Sequence, residues 1–157
     1  QPLVLDADGI NALAGHMDQW ERRRGRVTVL TPHEGEFLRV GGDLSQGRTA
    51  AATEFAHQSG AVVVLKGPGT VVAGPDGRCR VNTTGNCGMA KGGSGDVLSG
   101  VVLALLGLGM DAFDACCCAV WLHGRAGDLA AQEKGQWGMT PTDLLERLPQ
   151  ALREVTE

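Results

Sequence analysis

The chain has few aromatic residues and no excess of positive charge. Aromatic side chains make up 4% of its 157 residues, whereas glycine occurs 24 times. This composition favours a core of small side chains joined by many tight turns, which is typical of α/β folds. Because the formal net charge is −4, we expect neither a nucleic acid nor an anionic membrane as a partner.

Long hydrophobic runs and a signal peptide are also lacking. The apolar run at residues 97–108 is interrupted by Ser99, Gly100 and Gly107, so we expect no membrane span. The chain opens on Gln1 and continues directly into a predicted strand. We therefore expect it to be a fragment of a longer protein or a processed product.

The five cysteines are odd in number and lack the spacing of metal ligands. They predict reduced thiols in a cytoplasmic protein. Three of them are consecutive, at positions 116–118. Because adjacent residues on a helix point in different directions, this run cannot bind a metal as a unit, and we expect small core side chains.

The stretch NTTGNCGMAKGGSGDVLSG, residues 82–100, carries the main chemical signal. Gly92, Gly93 and Gly95 let the backbone approach a ligand closely, and the apolar residues that follow predict a helix. The free N–H groups and the dipole of that helix start predict an anion site. Asp96 in the same turn has two interpretations: an acid stabilised by the helix dipole, or a general base acting on a hydroxyl group.

Three further segments follow predicted buried strands at residues 2–5, 27–30 and 61–65, where open α/β sheets bind ligands. Asp6 could face that cleft or cap a helix, and for Asp8 we expect a cap. In TPHEGE, His33 and Glu36 are a helix-start pair on residue type alone. Lys66 is either a surface lysine before a turn or a contact to a nucleotide.

The usual nucleotide signatures, G-x-x-x-x-G-K-[ST] and G-x-G-x-x-G, are absent. The glycine turn with an acid at the helix start instead resembles ribokinase-like kinases. The longer match of TGN, GMA and GGSGDVLSG, with TPHEGE and VLKG, resembles the ADP/ATP-dependent NAD(P)H-hydrate dehydratases. Glu34 stands where that family usually has proline, Cys87 where it has proline after TGN, and Lys91 where a small residue is common.

The resemblance implies a ribokinase-like three-layer α/β/α fold with a mostly parallel central sheet, incomplete at its N-terminal side. Residues 1–157 would form one domain, the C-terminal portion of such a dehydratase domain. The implied activity is nucleotide-dependent dehydration of hydrated NADH or NADPH, with ATP or ADP and Mg²⁺, in a homo-oligomer. The implied roles are Asp96 as the catalytic base; His33, Asn86 and Asp96 in substrate binding; Glu36 as an indirect metal contact; and Lys66, Gly67, Pro68, Gly69, Thr70, Gly92, Gly93, Ser94 and Gly95 in nucleotide binding.

Two other functions remain open from the sequence. A ribokinase-like vitamin kinase for a thiazole or pyrimidine alcohol shares the Gly-x-Gly-Asp motif, although the TPHxGE and TGNxGMA stretches argue against it. The chain could also be an inactive nucleotide-binding module, because the portion that the resemblance assigns to the hydrated dinucleotide lies outside it.

Overall fold

The computed structural model describes residues 1–156, apart from the side chains of Met17 and Glu21. The elements in chain order are β1 (Leu3–Leu5), α1 (Ala7–Asn11), α2 (Met17–Glu21), β2 (Thr28–Leu30), α3 (Glu34–Arg39), α4 (Arg48–Ser59), β3 (Val62–Leu65), β4 (Val71–Ala73), β5 (Cys79–Val81), a 3₁₀ turn at Cys87–Met89, α5 (Ser94–Gly107), α6 (Ala112–Gly138) and α7 (Pro141–Thr156).

The strands form one sheet in the order β1-β2-β3-β4-β5. Neighbours among β1, β2 and β3 are parallel, and the chain passes through helices between them, as parallel connections require. The β3-β4 and β4-β5 pairs are antiparallel, so every strand except β4 runs in the same direction. The mostly parallel sheet is as the resemblance implies, and β4 and β5 form an antiparallel hairpin at one side of it.

Side chains of β3 alternate between the two faces of the sheet. Val63 and Leu65 join the core under α4, whereas Val62 and Val64 join the core under α5 and α6. Both faces are therefore covered by helices, which explains why this strand is a continuous apolar run rather than an alternating one. The result is the expected three-layer α/β/α arrangement.

The last two helices pack on each other beside the sheet. Leu144 and Ala151 of α7 are buried against Leu122, Ala126 and Leu129 of α6. At the start of α7, Thr140 Oγ1 accepts from the Asp143 amide at 3.3 Å, and Asp143 Oδ2 accepts from the Thr140 amide at 2.8 Å. Thr140 thus caps α7, with Pro141 at the first helical position, where its missing N–H has no cost.

Some details differ from the sequence expectations. Helix α2 was not predicted, and Trp20 within it is a buried core residue. Helix α6 is interrupted at Gly135, which has φ 72° and ψ 156°. The cysteines are free thiols, and burial raises the pKa of Cys116 to about 12, so this residue is an inert core side chain as expected. Within residues 1–156, the structure contains no helix with the length and apolar character needed to cross a membrane.

Candidate active site

Three separated sequence segments meet at the carboxyl ends of β1, β2 and β3. The Lys66 amide donates to the Pro32 carbonyl at 2.8 Å, and His33 forms a parallel bridge with Lys66. Gly95 lies against both strand ends, since a Cβ there would be 3.2 Å from Asp6 Oδ2 and 3.4 Å from Lys66 Nζ. The TPHEGE, VLKG and GGSGD segments therefore share one site, at the sheet edge where open α/β folds bind ligands.

An ion pair between Asp6 and Lys66 lies at the centre of this site. Lys66 Nζ is 2.6 Å from Asp6 Oδ1, and Ser99 Oγ donates to Asp6 Oδ2 at 3.3 Å. Burial by itself raises the pKa of the Asp6 carboxyl, but the hydrogen bond and the charge of Lys66 outweigh burial, so the pKa is below its ordinary value. Of the two interpretations of Asp6, the structure shows the one that faces the cleft. The expected cap at Asp8 is wrong, because no side chain caps α1.

His33 and Glu36 form the predicted helix-start pair. His33 Nδ1 accepts from the amides of Gly35 and Glu36, while Glu36 Oε2 accepts from the His33 amide at 2.8 Å. Because Nδ1 accepts, the neutral ring carries its proton on Nε2. The His33 side chain is 56% exposed, so its ring remains accessible to a ligand beside Lys66.

The start of α5 presents free backbone N–H groups. Gly93 has φ 96° and contributes no side-chain cap, so the first-turn amides are left without a side-chain partner. The amides of Gly95 and Asp96 have no acceptor among the described residues, whereas the Ser94 amide donates to the Lys91 carbonyl at 3.2 Å. The Gly95 and Asp96 amides are therefore available to an anion, whereas the amide of Ser94, a residue that the resemblance assigns to nucleotide binding, already has an acceptor. Asp96 itself is exposed.

His123 contacts the start of α5 through Ser94. Its Nε2 lies 2.9 Å from the Ser94 carbonyl oxygen and 3.3 Å from Ser94 Oγ. Burial, together with the charge of Lys66, lowers the pKa of His123 to about 4, although the hydrogen bond to the Ser94 carbonyl acts in the opposite direction. The ring is therefore neutral, and its Nε2 donates to the carbonyl.

The TGN segment is built into the structure in a different way. Asn86 Nδ2 donates to Asp128 Oδ1 at 2.9 Å, and its side-chain oxygen accepts from the Gly88 amide at 3.0 Å. The second Asp128 oxygen accepts from the Gly85 amide. The Asn86 side chain thus holds its own turn against α6, and within the described residues no hydrogen bond joins it to Lys66 or Asp96.

Lys91 also makes internal contacts. Its Nζ donates to backbone carbonyls of Gln136, Trp137 and Met139 at the end of α6. A lysine at the carboxyl end of a helix interacts favourably with its dipole. Lys91 therefore attaches the glycine turn to α6.

The site suits Mg²⁺ only with help from a ligand. Among residues 1–156 there is no cluster of three His, Cys, Asp or Glu side chains that could hold a metal. Glu36 is bonded to the His33 amide and lies 3.9 Å from Lys66 Nζ. Since Mg²⁺ keeps several waters and is bound through few carboxylates plus substrate phosphates, Glu36 fits a contact through water.

The sequence did not identify Arg48, Asp128 and Ser99 as residues that hold the segments of the site in place. Arg48 carried a usable signal, because a cation at the first position of a helix opposes the helix dipole and so suggests a partner elsewhere. Asp128 and Ser99 carried no comparable signal, because their partners are 42 and 93 residues away.

The fold and the site together define a ribokinase-like α/β protein. A crystal structure of a ribokinase-like superfamily protein from Enterococcus faecalis superposes with a TM-score of 0.81 and 28% identity over 98% of this chain and 53% of that one. Residues 1–150 match the family described as NAD(P)H-hydrate dehydratase. The chain therefore belongs to the NAD(P)H-hydrate dehydratase family.

Individual relatives agree with this placement. The bifunctional NAD(P)H-hydrate repair enzyme Nnr of Thermofilum pendens is 47% identical over 100% of this chain and 30% of its own length. The ADP-dependent (S)-NAD(P)H-hydrate dehydratase of Bacillus subtilis is 41% identical over 94% of this chain and 53% of its own length. A crystal structure of the Bacillus subtilis ADP/ATP-dependent enzyme, co-crystallised with ATP/Mg²⁺, has a TM-score of 0.83 and 39% identity over 98% of this chain and 55% of that one. The chain thus spans about a third to a half of the length of these relatives.

Proposed function

We propose that the protein containing this chain dehydrates the S-epimer of hydrated NADH or NADPH to NADH or NADPH, with ATP or ADP as the phosphoryl donor. The observation that carries this proposal is that His33, Lys66 and the start of α5 lie together at the carboxyl ends of the parallel strands. The names of the relatives above support the same reaction. Phosphorylation turns the ring hydroxyl, a poor leaving group, into phosphate, a good one.

Asp96 is the proposed general base. It takes the proton from the ring hydroxyl while that oxygen attacks the terminal phosphoryl group, and the nucleotide leaves with one phosphate fewer. The C–O bond of the phosphorylated intermediate then breaks, and phosphate departs with the electron pair. A proton leaves the neighbouring ring carbon, which restores the double bond. Exposure of Asp96 at the open end of α5 supports this role, because its carboxylate can reach a ligand.

The backbone and the other side chains bind and orient the reactants. The free Gly95 and Asp96 amides, with the dipole of α5, would stabilise charge on the moving phosphoryl group. His33 would donate from Nε2 to the substrate, and residues 66–70 would contact the nucleotide. Mg²⁺, when bound near Glu36 through water, supplies positive charge that neutralises the phosphates.

The free thiols fit a reducing compartment, and we propose a cytoplasmic homo-oligomer, as the resemblance implies. Sedimentation velocity of the full-length protein tests the oligomeric part of this proposal. A single species at the mass of one chain would contradict it.

The reaction is tested by mixing the full-length protein with hydrated NADH, Mg²⁺ and either ATP or ADP. Nucleotide-dependent recovery of the reduced-nicotinamide absorbance is the expected result. Comparing the recovery with ATP and with ADP identifies the phosphoryl donor. Phosphorylation of a thiazole or pyrimidine alcohol without recovery would instead indicate a vitamin kinase. Nucleotide binding with neither reaction would indicate an inactive module.

Asp96→Asn tests the assignment of the base. The variant should keep nucleotide binding and lose turnover by about two to four orders of magnitude, the range expected for a general base. Asp114→Asn is a matched control, because Asp114 is also an exposed acid in the first turn of a helix, α6. Near-normal turnover of Asp96→Asn would rule out Asp96 as the base.

A further inference from the structure

The Arg48 side chain extends from the first position of α4 to the loop that follows β3. Nη2 donates to the Leu65 carbonyl at 3.0 Å, and Nη1 donates to the carbonyls of Pro68 and, at 3.1 Å, of Gly69. One guanidinium thus holds three carbonyl groups that lie 17 to 21 residues away in sequence. A planar fork of donors is suited to this geometry, and a lysine would reach fewer of these groups.

These contacts fix the direction of two backbone amides. In a trans peptide unit the C=O and N–H groups point in opposite directions, and the structure contains no cis peptide bond among the described residues. The Pro68 carbonyl shares its peptide unit with the Gly69 amide, and the Gly69 carbonyl shares its unit with the Thr70 amide. Since both carbonyls point to Arg48, the amides of Gly69 and Thr70 point away from it. Neither amide has an acceptor in the described part of the chain.

Gly67 makes room for this arrangement. A Cβ at position 67 would lie 2.6 Å from Arg48 Nη2, and the residue has φ 150°, which side-chain-bearing residues rarely adopt. A side chain at position 67 would therefore displace the guanidinium and strain the backbone. The structure thus gives Gly67 a packing role besides the nucleotide contact that the resemblance implies.

We propose that Arg48 is a positioning residue for the nucleotide: it holds the carbonyls of Pro68 and Gly69 so that the amides that follow them, those of Gly69 and Thr70, face the ligand. The inference rests on the proposed function, which assigns residues 66–70 to nucleotide contact. Without Arg48 these residues must be ordered by the nucleotide itself, and that ordering weakens binding. Arg48 contacts no reacting atom, so it acts on nucleotide affinity and not on the chemical step.

Glu34 extends the arrangement to the turn that carries His33. Arg48 Nε lies 3.1 Å from Glu34 Oε1, although this N–H has no hydrogen-bond partner of good geometry, so the two groups attract chiefly by charge. Glu34 stands where the family usually has proline, and its side chain is 52% exposed. An exposed pair of this kind is weak. Glu34→Pro should therefore raise the KM for nucleotide by less than about fivefold, and proline suits this first position of α3.

The test compares Arg48→Met, Arg48→Lys and wild type in the full-length protein, with ADP and Mg²⁺ as the probe. We expect Arg48→Met to raise the KM and the Kd for ADP by about 10- to 100-fold. The turnover number at saturating nucleotide and the KM for hydrated NADH should change by less than about threefold, because the chemical step is untouched. Arg48→Lys should fall between wild type and Arg48→Met. Arg125→Met is the matched control, since Arg125 pairs with Glu154 between α6 and α7 and has no contact with the loop.

The outcomes separate the inference from the proposed function. If wild type binds ADP and Arg48→Met binds it equally well, the inference is wrong and the proposed function stands. If Arg48→Met loses turnover and substrate affinity in equal measure, Arg48 is merely structural and the inference is again wrong. If wild type binds no ADP, the same comparison is made with ATP, and binding of neither nucleotide would overturn both the proposed function and the inference. Should Arg48→Met not fold, as judged by thermal unfolding, Arg48→Lys decides the question by the same KM comparison.

Discussion

Protonation of His123 should destabilise the protein as the pH falls from 6.5 towards 4. Burial lowers the pKa of this side chain to about 4, against an ordinary value of 6.5. In that interval the unfolded chain binds a proton that the folded protein does not, so the free energy of unfolding falls as the pH falls. The difference of about 2.5 pH units corresponds to about 3.5 kcal/mol at most, since one unit is about 1.4 kcal/mol. Above pH 6.5 the ring is neutral in both states and this contribution is fully present.

Urea unfolding at about pH 7.5 and about pH 4.5 measures this contribution. His123→Gln keeps an N–H donor for the Ser94 carbonyl but removes the titrating group. We therefore expect wild type to lose about 2 to 3 kcal/mol more than the variant between the two pH values. Acid losses from other residues, such as Asp6, are common to both proteins and cancel in the comparison.

His57→Gln provides the control for this experiment. His57 is exposed on α4, so its replacement should leave the pH dependence of the free energy of unfolding as in wild type. If His123→Gln loses as much stability on acidification as wild type and His57→Gln do, the buried neutral ring is not the cause, and the reasoning is wrong.

Two further substitutions test the centre of the site. Gly95→Ala should lower turnover at least about tenfold, because its Cβ would lie too close to the Asp6–Lys66 pair beside the free amides. Gly100→Ala in the same helix has nothing within 4 Å of its Cβ and should instead stabilise the protein by about 0.5 to 1 kcal/mol. Equal effects of the two substitutions in activity and unfolding assays would contradict the argument that the backbone at Gly95 approaches this pair closely. Asp6→Asn should lower the free energy of unfolding by about 1 to 3 kcal/mol at neutral pH, because it leaves Lys66 without its partner. Since the pKa of Asp6 is lowered in the folded state, this difference from wild type should shrink in urea titrations below pH 3.8; a constant difference would contradict the role of the ion pair.

The local features of the chain could be predicted from its sequence. Runs of apolar residues identified β2 and β3. The helix start at His33 is set by residues three positions apart and appears in the structure as predicted, and the start at Thr140 has the same spacing. These features depend on interactions between near neighbours, whose distances are fixed by helix and turn geometry.

The family could also be predicted from the sequence, because three separated motifs match those of the family in their residues and in their order along the chain. The match over residues 1–150 confirms that interpretation. The roles of individual residues were less accessible. Asn86 and Lys91 carry polar groups next to the glycine turn, and only the structure shows that both are bonded to α6 or to residues on it.

The sequence by itself determined most of the elements, the fold class and the segments that form the site. Only the tertiary structure decided which groups meet there: Asp6 with Lys66, 60 residues apart, and Arg48 with the carbonyls of Leu65, Pro68 and Gly69. The physical reason is that these partners are brought together by the order of strands in the sheet and by close approach at Gly95 and Gly67. Neither the strand order nor such an approach leaves a pattern in the residues between the partners.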